Sequence, residues 1–176
     1  KVEAHCEIGD PLVLGVDVAR NGDAQTVLAI RKGRDARTIP WIKMRSQDTM
    51  QIATRIVDLH QQYKFDGIHI DGGGVGGGVV DRCRQLNLPN IREVQFGAKA
   101  DRGQTTIDAT KYANKRAEMW GIMREHLRAG IAIPDDRELE QELPSVMFAM
   151  NKRDEIQLEA KEDLQRRGEA SPDNAD

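Results

Sequence analysis

The sequence predicts an α/β fold: a five-stranded mixed sheet flanked by helices, with a late β-hairpin. Three observations predict it. Apolar runs of strand length recur at 11–19, 25–33, 38–45, 67–71 and 91–96, parted first by turn residues and later by helical spacing. A glycine-rich segment, GGGVGGG at 72–78, joins the fourth run to a second helical stretch. The order is three strands, helix, strand, helix, strand, which calls for hairpins first and right-handed parallel crossovers afterwards.

Each element has its own reason. PLVLGVDVA (11–19) is almost wholly apolar and reads as a central strand buried on both faces. Asn21-Gly22-Asp23 and Gly33-Arg34-Asp35 are turn clusters, so QTVLAIRKG and TIPWIKMR follow as antiparallel strands. In the next stretch Met50, Ala53, Ile56, Val57 and His60 share a helical face, with Ser46 as its cap. GIHID (67–71) returns as a strand parallel to the first. GVVDRCRQLN is the second helix and IREVQF the fifth strand. Residues 97–109 are polar and glycine-bearing, a loop. NKRAEMWGIMREHLRAG is an amphipathic helix whose Met119, Trp120, Met123 and Leu127 are expected to pack inward. DDRELEQEL is a short helix closed by Pro144, and SVMFAMN with EIQLEA forms the hairpin. SPDNAD begins another helix: Ser171 suits the cap, Pro172 the first turn and Asp173 the positive dipole end. A helix that starts at the last residues suggests a domain cut from a longer chain.

This order is that of the ribonuclease H-like fold, and 176 residues suit a single such domain, 1–176. Aromatics are 4% of the chain, which argues against a base-stacking platform. The net charge of −3 leaves nucleic-acid binding to local basic patches. Cys6 and Cys83 have no pairing or zinc spacing, and reduced thiols in a cytoplasmic compartment are expected.

The chemistry points to carboxylates. Asp17 lies inside a buried run, where a charge is costly unless paired or metal-bound. Asp71 ends the fourth strand at the glycine turn. On neighbouring parallel strands the two would repel each other, and a divalent cation between them removes that penalty. Asp176 is a possible third ligand, with Asp173 three residues earlier on the same helical face. Such a set suits two-metal phosphodiester hydrolysis with Mg²⁺ or Mn²⁺. His5, His60, His69 and His126 are scattered, and nothing argues for zinc. The turn at 72–78 is not a P-loop, since no Gly-Lys-Ser/Thr follows. It is read as a place where a phosphodiester backbone approaches Asp71, with Gly73 and Gly74 near the phosphates. Basic candidates for the DNA track are Arg20, Lys99, Arg102, Lys111, Lys115, Arg116, Lys161, Arg166 and Arg167, of which Arg20, three residues past Asp17, is favoured.

Taken in order, LGVDVARNGDAQTVLAIRKG, IHIDGGGVGGGVVDRCRQL, NKRAEMW and EIQLEAKEDLQRRGEASPDNAD resemble the C-terminal nuclease domain of the large terminase subunit of tailed bacteriophages. The resemblance covers nearly the whole chain. It implies a metal-dependent endonuclease that cuts concatemeric phage DNA during genome packaging, in the host cytoplasm. It carries the metal-binding aspartates onto Asp17, Asp71 and Asp176, and rests any accessory role at the two-acid position of many members on Asp23 alone. Asp173, on the helical face of Asp176, and Lys161, before the last helix, are further accessory candidates by position. It also implies duplex DNA as substrate, and an ATPase motor, a small terminase subunit and a portal as partners; this domain alone is expected to be a monomer. No Walker A sequence is present, so ATP hydrolysis is not expected. Rival readings are a junction resolvase or transposase core, an actin-like or sugar-kinase-like phosphotransferase, and a non-catalytic docking module.

Overall fold

The computed structural model describes residues 3, 5–19, 25–45, 48–101, 111–169, 172 and 175, with only the backbone of Lys161. They divide into two compact units, residues 1–94 with 130–135, and residues 95–129 with 136–176.

The first unit is a five-stranded sheet. β1 (Leu12–Asp17), β2 (Gln25–Lys32) and β3 (Ile42–Arg45) pair antiparallel; β4 (Gly67–Asp71) lies parallel to β1, and β5 (Ile91–Val94) parallel to β4. The order across the sheet is β3-β2-β1-β4-β5. The crossovers are α1 (Thr49–Tyr63) and α2 (Gly76–Gln85).

Alternation along the strands builds the core. Leu14 and Val16 of β1, Leu28 and Ile30 of β2, and Ile68 and Ile70 of β4 are buried in one cluster with Ile52, Ala53, Ile56 and Leu59 of α1 and Val79, Val80 and Cys83 of α2. Each such Leu, Ile or Val side chain stabilises the fold by about 1.5–3 kcal/mol. The buried face of α1 is rotated from the expected one: Met50 is 48% exposed, and Ile52 and Leu59 are buried instead. Its cap is Asp48, not Ser46. The Gln51 N–H donates to Asp48 Oδ1 (2.8 Å), and the Asp48 N–H to Gln51 Oε1 (3.2 Å), a reciprocal capping box. β3 starts only at Ile42, two residues past Pro40, which cannot donate to a ladder.

In the second unit, α3 (Lys115–Arg128) is capped by Asn114, whose side chain accepts from the Ala117 N–H at 2.9 Å. Its buried residues are Ala117 and Glu118; Met119, Trp120, Met123 and Leu127 are only half-buried, and the last three line an apolar cavity with Leu143, Phe148 and Ile156. α4 (Arg137–Ser145) runs through Pro144 instead of stopping before it, the proline falling in the last turn. The expected hairpin forms from β6 (Phe148–Met150) and β7 (Ile156–Leu158). α5 (Lys161–Arg166) has no counterpart in the sequence reading, since KEDLQR offers one apolar residue, the buried Leu164. Among the described residues no helix is long and apolar enough to cross a membrane.

Candidate functional site

The site is set by sheet register. The last parallel pair between β1 and β4 is Val16 opposite Ile70. Both are buried, 4% and 0% exposed, in the core with α1 and α2. The period of two sends the next residue on each strand, Asp17 and Asp71, to the other face, and both are half-buried. Adjacent strands lie about 4.8 Å apart, so two carboxylates share the C-terminal edge of the sheet, where open α/β folds bind ligands. Their outer neighbours are apolar, Val27 opposite Asp17 and Val94 opposite Asp71.

The glycine turn is tied to Asp71. The Gly73 N–H donates to Asp71 Oδ1 at 3.0 Å, which orients that carboxylate. The Gly72 N–H donates to the Val94 carbonyl at 2.8 Å, and the Gly76 N–H to the Gly73 carbonyl at 3.1 Å. Gly74 has φ +57°, a conformation open to glycine at little cost. At Gly76 a Cβ would lie 1.8 Å from the Asp71 carbonyl oxygen, so α2 can begin there only as glycine. Gly77 and Gly78 have ordinary room, 3.5 Å or more to the nearest neighbour. Part of the glycine run thus has a local cause, the sharp return from β4 into α2.

The donors fit a hard divalent cation, being all oxygen and negatively charged. Among the described residues no group of three or more His, Cys, Asp or Glu could hold a metal. The third expected acid, Asp176, lies outside the described residues, as do Asp23, Asp173, Arg20 and Arg102. His69 precedes Asp71 by two residues and pairs in register with Gly15 and Arg92. Burial, then the charges of Arg92 and Arg31, hold its pKa below the ordinary histidine value, so it is neutral at pH 7.

The basic candidates of the second unit differ in their surroundings. Lys115 Nζ lies 2.7 Å from Asp101 Oδ2 and 2.6 Å from Glu118 Oε2. Arg116 donates to the Glu159 carbonyl at 3.5 Å and lies 6.0 Å from the Trp120 ring centre. Arg167 forks onto both Glu159 oxygens, 3.1 and 2.6 Å, and Arg166 pairs with Asp163 at 2.6 Å. Lys99 and Lys111 are exposed. The Arg167–Glu159 clamp was not legible beforehand, because the two residues meet only once β7 and α5 are folded.

No family model and no curated protein matches the sequence. Solved structures do. The nuclease domain of the large terminase subunit gp2 of bacterial virus Sf6 superposes with a TM-score of 0.77 at 18% identity, over 94% of this chain and 84% of that one. A variant of that domain with manganese gives 0.74 at 17% identity, over 94% and 84%. The large terminase nuclease of thermophilic phage G20c with bound cobalt gives 0.64 at 13% identity, over 98% and 80%. At these identities the likeness establishes the fold, the ribonuclease H-like arrangement of those nuclease domains, as the strand order had led one to expect.

Proposed function

We propose that this chain is the nuclease domain of a phage large terminase subunit, a metal-dependent endonuclease that cuts double-stranded DNA during genome packaging. The observation that carries the reading is the register that makes Asp17 and Asp71 neighbours at one sheet edge, in a fold shared with terminase nucleases whose structures include manganese and cobalt.

Asp17, Asp71 and Asp176 would hold Mg²⁺ or Mn²⁺. Bound there, divalent cations supply an activated water and neutralise charge on the departing 3′ oxygen. The chain's own part is positional. The Gly73 N–H fixes the Asp71 carboxylate. Three carboxylates repel phosphate until neutralised, which makes DNA binding at the edge depend on the cation. The α2 N-terminus favours an anion beside Asp71. Arg20, Arg116 and the backbone of Gly73 and Gly74 are proposed phosphate contacts, reading charge and not sequence. Lys115 is not counted among them, its ammonium being engaged by two carboxylates. Asp23, Asp173 and Lys161 are proposed as accessory groups.

Cutting specificity then belongs to partners: an ATPase motor domain, a small terminase subunit and a portal, meeting in the host cytoplasm. The test is incubation with supercoiled plasmid in Mn²⁺, Mg²⁺ or EDTA. Nicking and linearisation with metal, abolished by EDTA, is the expected result. A folded chain inert in both metals would sink the nuclease reading.

A further inference from the structure

We propose that Lys43 and Arg45 of β3 bind the DNA phosphates next to the one held at Asp17 and Asp71. The inference rests on the reading of those two acids as metal-holding carboxylates. Neither basic residue stands out in the sequence; the sheet gives them their place. Ile42 and Met44 pack against the core cluster under α1 and α2, so Lys43 and Arg45, the alternate residues of β3, face the other side. Asp17 and Asp71 face that side too, because Val16 and Ile70 before them belong to the same core.

Register fixes how far apart these groups stand. Lys43 pairs with Val27, Val27 with Asp17, and Asp17 lies beside Asp71, so one row crosses the sheet from β3 to β4. Lys43 is two strand spacings from Asp17, about 10 Å, which is the rise of about three nucleotides of one DNA strand. β1, β3 and β4 run in the same direction and end at the same edge. Arg45, opposite Gln25, is two residues further along β3 than Lys43, about 7 Å nearer that edge. Between the basic pair and the acids β2 offers Val27 and Gln25, neither of them charged. On the other flank of the acids the row ends in Val94, which has nothing to offer a phosphate. Positive charge at this edge of the sheet therefore lies on the β3 side, and a strand with one phosphate at the acids carries its neighbours over Lys43 and Arg45. Arg45 is exposed and Lys43 half-buried. Both also interact within the protein, so the decisive measurement is one that tells a phosphate contact from a structural ion.

That measurement is the salt dependence of duplex binding, read by fluorescence anisotropy on two unrelated labelled sequences in Ca²⁺ between about 50 and 200 mM salt. Lys43→Gln and Arg45→Gln are each expected to reduce the slope of log affinity against log salt by about 0.9, and the double variant by about 1.8. Both sequences should weaken alike. Lys43→Arg keeps the charge and should keep the slope. Arg55→Gln, at an exposed position of α1 on the opposite side of the sheet, should bind with the wild-type slope. A double variant with the wild-type slope would overturn the inference, and a lowered urea midpoint beside it would make the pair structural ions. Arg55→Gln reducing the slope as much as Arg45→Gln would also overturn it, since net charge would then suffice. Should Lys43→Gln fail to fold, Arg45→Gln decides the matter, its side chain being exposed. Wild-type plasmid cleavage in Mn²⁺ separates two failures. Cleavage by wild type with an unchanged slope in the double variant removes the inference and leaves the nuclease reading. A folded wild type that neither cuts nor binds duplex removes both.

Discussion

Asp17 and Asp71 each stand one residue beyond a parallel-paired couple, Val16 opposite Ile70, at the end of adjacent strands. Nothing in chain distance suggests this closeness; the crossover through α1 creates it. If the pair holds metal, Asp17→Asn and Asp71→Asn should each lower metal-dependent plasmid cleavage by at least about 100-fold. Without metal both should melt at or above the wild-type temperature, because a like-charge repulsion has been removed. Either variant cutting at the wild-type rate, with an unchanged circular dichroism spectrum, would refute the assignment of that acid.

The glycine turn gives a prediction that separates local structure from substrate contact. Gly76→Ala drives a Cβ into the Asp71 carbonyl oxygen and should cost about 3 kcal/mol in urea unfolding. Gly77→Ala and Gly78→Ala meet only ordinary contacts and should fold as wild type or slightly better. If those two lose cleavage while remaining stable, the bare backbone there is serving the DNA.

The contrast between strands and helix faces shows what the sequence made legible. Strand order, the parallel return of β4 and the pairing of two acids follow from runs of Val, Ile and Leu with Asp at fixed places, because period-two burial leaves few registers. The face of α1 was misread because Met50 and Ile52 are both apolar, and only the sheet decides which one packs. α5 was missed because one leucine in KEDLQR carries no periodicity. The glycine run drew attention as a ligand loop, yet Gly76 is required by an atom of Asp71's own backbone, which no pattern reveals. Arg167 was assigned to the DNA track, and its contact with Glu159 exists only across folded elements.

The two cysteines should differ sharply in reactivity. Cys6 is exposed and Cys83 is buried on the inner face of α2. Burial pushes the Cys83 thiol up to about 11, and the thiolate is the reactive form. At pH 8 a thiol reagent such as Ellman's should therefore titrate one cysteine quickly in the native protein and both in guanidinium. Rapid reaction of two native thiols would contradict the packing of α2 on the sheet.

Stability should fall as the solution is made mildly acidic. Burial, then Lys64, lowers the His60 pKa, and burial with Arg92 and Arg31 lowers that of His69. Below the ordinary histidine value, about 6.5, the unfolded chain takes up these protons and the folded chain does not. Protonation then favours unfolding, increasingly as pH drops from 6.5 toward the folded values. His60 Nδ1 is buried without a hydrogen-bond partner among the described residues. His60→Leu should therefore be tolerated at pH 7.5 and should flatten the loss between pH 7 and 5.5. The check is the urea midpoint of wild type and variant across that range; an unchanged slope would refute the contribution of His60.

Lys115 offers the sharpest choice between a DNA contact and a structural ion. Its ammonium, 19% exposed, is bound by Glu118, which is 2% exposed, and by Asp101 at the surface. Burial opposes its charge, yet the two carboxylates outweigh that and raise its pKa above the ordinary lysine value. Removing one member of a buried pair strands the other, at a cost of about 3–5 kcal/mol, whereas replacing both with apolar residues of similar volume is often neutral. Lys115→Met should thus destabilise the fold by about 3 kcal/mol, and Lys115→Met with Glu118→Leu should regain most of it. A phosphate contact behaves otherwise: its loss lowers the salt slope of DNA binding by about one and leaves the melting point alone. Urea unfolding and DNA affinity at several salt concentrations distinguish the two. The burial of Glu118 decides the expectation, because a carboxylate so enclosed needs its cation whether or not DNA is present. An unchanged midpoint with a reduced salt slope in Lys115→Met would instead make this lysine part of the DNA track.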